Sequence, residues 1–168
     1  AKLSKLFEGT SQKRQLFSML AGVLSLIMTS FGYIALYEYV KSYSSTYGLI
    51  LLISLVLLMV SGTAHHVFCG VVEWFYIRLG RAEEARAAIL EFFKKTISTM
   101  YVSFLAAIAF SITLFIVLIS GVTPLPAWTC VFNCIIFFIA LFPFRIVGSF
   151  NIASALTFLS LFITLCII

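Results

Sequence analysis

Five stretches of this 168-residue chain are apolar over the length needed to cross a bilayer. Hydrocarbon about 30 Å thick takes roughly 20 residues at the helical rise, and a helix satisfies every backbone N–H and C=O on the way. The stretches fall at residues 16–37, 48–77, 97–119, 126–142 and 148–168. They predict an all-α fold, a polytopic membrane helical bundle of about five transmembrane helices forming one domain over residues 1–168. The composition agrees: 62% of residues are hydrophobic and 10% charged, against about half and about a quarter in soluble domains. A mean hydropathy of +1.16 leaves too little polar surface to cover a soluble molecule of this size.

The breaks between the stretches have local causes. KSYSSTY, residues 41–47, is rich in side chains that compete for backbone hydrogen bonds and reads as a loop. GVTPLP, residues 121–126, joins a helix-ending glycine to two prolines, the second placed to open the next helix. Pro143 stops that helix, which leaves a tight connection before Ser149. Gly80 ends the second stretch, and residues 81–95 predict a short cytoplasmic helix, with Glu83 and Glu84 in its first turn and Lys94 and Lys95 near its end. The spacing of Ala85, Ile89, Phe92 and Phe93 permits one face of that helix to lie on the membrane.

Placement of the basic residues predicts sidedness, because Lys and Arg are retained on the cytoplasmic side. With the N-terminus inside, the cytoplasm receives Lys2, Lys5, Lys13 and Arg14, then Arg78, Arg81, Arg86, Lys94 and Lys95, then Arg145, which is ten of the 11 Lys and Arg. Only Lys41 lies outside. The expectation is an integral protein of the bacterial cytoplasmic membrane, N-terminus cytoplasmic and C-terminus outside. Sidedness thereby accounts for the net charge of +5, and no nucleic-acid partner is expected. The first stretch is too long for a signal-peptide core and lacks small residues for cleavage, so it reads as a retained span. The chain opens on Ala1, as a processed protein or a fragment would. Tyr33, Tyr37, Tyr39, Tyr43, Tyr47 and Trp128 are placed for an outer aromatic belt, and Trp74, Tyr76 and Phe144 for an inner one.

The second stretch carries the scarcest chemistry, in AHHVFCGVVEW, residues 64–74. At about 100° per residue, with His65 at zero, Cys69 falls near 40°, Glu73 near 80° and His66 near 100°. Gly62 and Tyr76 share that arc, while Val67, Phe68, Val71 and Phe75 take the opposite side. With Gly48 at the outer boundary and Arg78 at the inner one, the histidines lie slightly inward of the midplane and Glu73 about one turn inside the inner boundary. Ionisable groups at such depth turn toward protein or a wet cavity and mark functional sites. His65, His66, Cys69, Glu73, Asn133 and Asn151 are accordingly candidate ligand-binding residues, with Asn133 expected near the midplane and Asn151 near the inner boundary. No metal site is assigned. His65 and Glu73 stand about 12 Å apart along the helix, too far for one ion, which leaves His65 and Cys69 as weak candidates. The cysteines Cys69, Cys130, Cys134 and Cys166 all fall in apolar runs, so no disulfide framework is indicated.

AHHVFCGVVEWFYIRLG, the LEFFKKT entry to the third stretch and the region from PAWTCVFNC to GSFNIAS together resemble a family of uncharacterised small multi-pass bacterial membrane proteins, of the domain-of-unknown-function kind. The resemblance covers most of the chain. It implies an additional helix ahead of residue 1, on which absolute sidedness would depend, and it brings no catalytic residue and no cofactor. The residues themselves support two classes of function. One is a protein handling a small or lipid-like molecule through His65, His66 and Glu73, as an enzyme or a small transporter. The other is a structural or accessory subunit whose polar groups pack helices or meet a partner, in a homo-oligomer or a larger membrane complex. Gly22, Ser25 and Thr29 offer a small-residue stripe for a second copy. The almost wholly apolar run 49–60 disfavours a continuous channel.

Sidedness is open to direct test. In a background with the native cysteines replaced by alanine, Ser42→Cys should react with an impermeant maleimide on intact spheroplasts, and Glu84→Cys should react only after lysis.

Overall fold

A computed structural model describes residues 9–144 and 148–168. Lys2, Lys5 and Arg145, which entered the charge count above, lie outside the described residues. The structure is 86% helical, with no strand among the described residues. The described residues form six α-helices in order: α1 (Gln12–Lys41), α2 (Ser45–Arg78), α3 (Glu83–Thr96), α4 (Ser98–Ile119), α5 (Cys134–Leu141) and α6 (Ser149–Ile167). Among the described residues, α1, α2, α4 and α6 are long and apolar enough to cross a membrane.

The helix ends are set by local chemistry. Ser11 caps α1 by accepting from the Arg14 N–H at 3.2 Å, and Ser44 caps α2 by accepting from Tyr47 N–H at 3.4 Å. At the other end of α2 the Gly80 N–H donates to the Ile77 carbonyl and the Arg81 N–H to the Tyr76 carbonyl. That is the two-bond Schellman closure, and it requires the left-handed backbone of Gly80, φ 68°. Arg81 follows it at φ 61°, so the chain reverses within two residues and α3 folds back against α2.

The expected fourth span is not a continuous helix. Residues 126–142 divide into a 3₁₀ turn at Ala127–Val131, an extended residue at Asn133, and α5, which is only eight residues long before a second 3₁₀ turn at Phe142–Phe144. Side chains that bond to the backbone explain the break. Thr129, fully buried, donates its hydroxyl to the Pro126 carbonyl at 2.7 Å. Asn133 accepts from Ile135 N–H at 3.1 Å, capping α5, and donates through Nδ2 to the Ser111 carbonyl of α4 at 2.8 Å. A straight helix through these residues would forfeit both arrangements.

α2 is the centre of the bundle, packed along its length against α1 on one side and α4 on the other, while α5 and α6 form a hairpin against them. Tyr33 of α1 binds the parts together. Its ring meets Phe110 of α4 and Phe158 of α6 edge-on, with centroids 4.8 Å and 4.9 Å away, and its hydroxyl lies 2.9 Å from Ser154 Oγ. At 2% exposure it belongs to the core rather than to the outer belt, and Tyr76 of α2 is likewise buried rather than part of the inner one. A second core joins Val72, Tyr76 and Ile77 of α2 to Ala85, Ile89 and Phe93 of α3. The apolar face of α3 is therefore spent on α2, and Phe92 meets Phe68 edge-on at 5.5 Å. On its outer side the Arg86 guanidinium pairs with Glu83 and holds that carboxyl below the usual carboxylate range.

The helices differ in length in a way that positions the site. α2, with 34 residues, is about 51 Å long, whereas α4 with 22 and α6 with 19 measure about 33 Å and 28 Å. Thr99 in the first turn of α4 touches His65, and Asn151 in the first turn of α6 bonds to Ser25 of α1. Both shorter helices thus begin level with the histidines. Among the described residues, the last turns of α2, the first turns of α1, and α3 continue beyond that level.

Removing the Tyr33 side chain should be costly. Tyr33→Ala is expected to lose about 3–5 kcal/mol, in line with other large aromatic truncations, and Tyr33→Phe only about 1 kcal/mol for the interhelical hydroxyl, as read by reversible unfolding in mixed micelles.

Candidate functional site

Around the level where α4 and α6 begin, the helices line a half-open cavity of about 290 Å³. Its wall on α2 runs from Leu58 and Met59 through Gly62 to His65, His66 and Cys69. Gly22, Leu26 and Thr29 of α1, Ser103, Phe104 and Ala107 of α4, and Asn151 of α6 face it from the other sides. The two ends differ in chemistry: Leu26, Leu58 and Met59 lie toward one, where the Thr29 hydroxyl is bonded to its own helix at the Ser25 carbonyl, and two imidazoles, a thiol and an amide lie toward the other.

The polar end is ordered by a directed series of hydrogen bonds. Thr99 has a single hydroxyl proton and donates it to the Thr96 carbonyl at 2.7 Å. With that bond made its oxygen accepts from His65 Nδ1, 3.1 Å away, and on this ground we assign the proton of neutral His65 to Nδ1. Nε2 is left as an acceptor, facing Cys69 Sγ at 3.5 Å. The i, i+4 spacing of the two residues on one helix makes that approach automatic. His66 turns the other way and donates from Nε2 to the Met19 carbonyl of α1 at 3.1 Å. Its ring occupies the space that a side chain at residue 22 would take; any Cβ on Gly22 would overlap it.

Of the six residues singled out in the sequence, four line this cavity: His65, His66, Cys69 and Asn151. Asn151 reaches Ser25 Oγ through Nδ2 at 3.3 Å. Asn133 is elsewhere, 2% exposed, holding the break before α5. Glu73 is half-buried one turn beyond Cys69 and outside the lining. Among the described residues no group of three or more His, Cys, Asp or Glu side chains is disposed to hold a metal ion, and His65 and Cys69 stand as a pair. Gly22, Ser25 and Thr29 are used within the chain, against His66, Asn151 and the cavity, so they do not form a free stripe for a second copy. Thr99 carried no sequence signal, since one threonine near a helix start is unremarkable until its neighbour across the bundle is known.

A family model described as a family of unknown function, DUF6796, matches residues 2–167. The chain belongs to this family. No curated protein matches it, and no solved structure does either. Membership in DUF6796 therefore agrees with the resemblance read from the motifs, and the chemistry of the site has to be argued from its own geometry.

The fit between Gly22 and His66 can be measured. Gly22→Ala should destabilise the protein by about 1–3 kcal/mol through overpacking, and His66→Ala in the same chain should recover most of that loss, a coupling that a double-mutant cycle in thermal unfolding would read.

Proposed function

We propose that this protein is an integral membrane protein that binds a slim, single-tailed amphiphile in the cavity beside α2. The observation that carries the reading is the grading of the cavity wall, from Leu58 and Met59 at one end to His65, His66 and Cys69 at the other, about 16 Å along the helix. Ligand pockets are largely apolar with a few convergent polar groups, and a volume of about 290 Å³ stands at the lower limit of their usual size. It suits one tail better than two.

The helix lengths support a placement for that ligand. Hydrocarbon about 30 Å thick matches α4 and α6 and leaves α2 overlong. With the bilayer set on the two shorter helices, the histidines come to the inner boundary rather than near the midplane, and the last turns of α2 extend past it with α3 beside them. Of the described basic residues, Lys13, Arg14, Arg78, Arg81, Arg86, Lys94 and Lys95 then fall beyond the histidine level and Lys41 at the far end, in keeping with the charge rule for cytoplasmic segments. A headgroup from the cytoplasmic leaflet would meet His65, His66 and Asn151 while its tail lay along Leu26 and Met59. An imidazole at an interface needs no burial of charge, which makes this depth cheaper than the midplane.

A photoreactive fatty acid bearing a diazirine tests the reading. In nanodiscs it should crosslink within residues 58–69, and Met59→Trp, which fills the apolar end, should reduce that yield at least about tenfold while the melting temperature is preserved. Crosslinks confined to the outward residues Leu49, Ile53 and Val60, and indifferent to the tryptophan, would mean bulk lipid only.

A further inference from the structure

Resting on that reading of the cavity, we infer that Cys69 is a nucleophile, that His65 is its base, and that the group it takes up is the acyl chain of a long-chain acyl thioester. A nucleophile, a base within hydrogen-bond reach and a third group that orients the base are the signature of covalent catalysis. Here they are Cys69, His65 at 3.5 Å and Thr99 at 3.1 Å. The third member decides the matter. Because Thr99 gives its own proton to Thr96, it fixes the His65 proton on Nδ1 and presents a bare Nε2 lone pair to the thiol. A histidine of the opposite tautomer would donate to sulfur and be useless as a base.

The other cysteines lack this arrangement. Cys134 is buried between Tyr33 and Ser154, Cys166 is exposed, and Cys130 is half-buried in the turn before α5. Both histidines and all four cysteines are described, and among them only Cys69 has an imidazole nitrogen within bonding distance. Cys69 also lines the cavity, at its polar end, where the reactive carbonyl of a ligand tailed toward Met59 would arrive.

The chemistry balances without a further reactant. As Cys69 Sγ attacks the thioester carbonyl carbon, its proton passes to His65 Nε2 and a new C–S bond forms. Collapse of the tetrahedral adduct breaks the donor's C–S bond, and the departing thiolate takes the proton back from Nε2. The products are S-acyl Cys69 and the free donor thiol. One thioester replaces another, so the exchange is close to thermoneutral, whereas an oxygen ester would have to transfer its acyl group uphill. Thr99 acts as a positioning residue.

The test uses the full chain in nanodiscs and an alkyne-tagged palmitoyl thioester of coenzyme A. A hydroxylamine-labile acyl adduct should appear on the peptide holding Cys69, be absent in Cys69→Ala, and form about a hundredfold more slowly in His65→Ala, the usual size of a general-base contribution. Thr99→Val should slow it and Thr99→Ser restore it, which a purely structural role for the hydroxyl does not predict if both variants melt with the wild type. Labelling spread over the four cysteines and indifferent to His65 would overturn the inference, as would no labelling. If the diazirine fatty acid still crosslinks residues 58–69 while Cys69 stays unmodified, only the acyl-transfer step fails; if both signals vanish, the ligand reading fails with it.

Discussion

A polar side chain carried on an apolar helix has to find its partner inside the protein, and the distinctive parts of this structure follow from how α2 meets that demand. His66 takes a carbonyl of α1, and His65 takes a hydroxyl of α4. Each bond holds a neighbour at a set height along α2, so two adjacent histidines fix the register on both sides at once. Tyr33 plays the corresponding part higher in the bundle, where α1, α4 and α6 meet.

The helical architecture was legible because its causes are local. Gly80 as terminator, the polar loop at residues 41–47 and the charges of residues 83–95 act over a few positions and read the same in sequence and structure. The polar arc of α2 was legible for a similar reason, since helical periodicity alone puts His65 and Cys69 on one side. What sequence did not convey depends on distant partners. Asn133 in an apolar run reads as a polar residue within a span until Ser111 supplies the carbonyl that draws the chain out of helix. Tyr33 counts as one more interfacial tyrosine until Phe110 and Phe158 close over it. The level of the histidines against α4 and α6 is not legible either, because on a helix of about 51 Å it shows only once the starts of the shorter neighbours are seen.

The cavity and the order of hydrogen bonds around it share one origin. Gly22 admits the His66 ring, which frees the side of α2 bearing His65 and Cys69 to face open space rather than α1. Small residues here serve a specific side chain, which differs from the close backbone approach that small-residue stripes usually provide between membrane helices.

The mismatch between α2 and its shorter companions gives the molecule two independent rulers. In the placement proposed above, α4 and α6 match the slab, while the stem made by the ends of α1 and α2, braced by α3 through Val72, Tyr76 and Ile77, sets how far the molecule stands out from it. A relative could lengthen or shorten the stem by whole turns without disturbing the chamber, and reach toward whatever waits at the surface would vary separately from what is held inside.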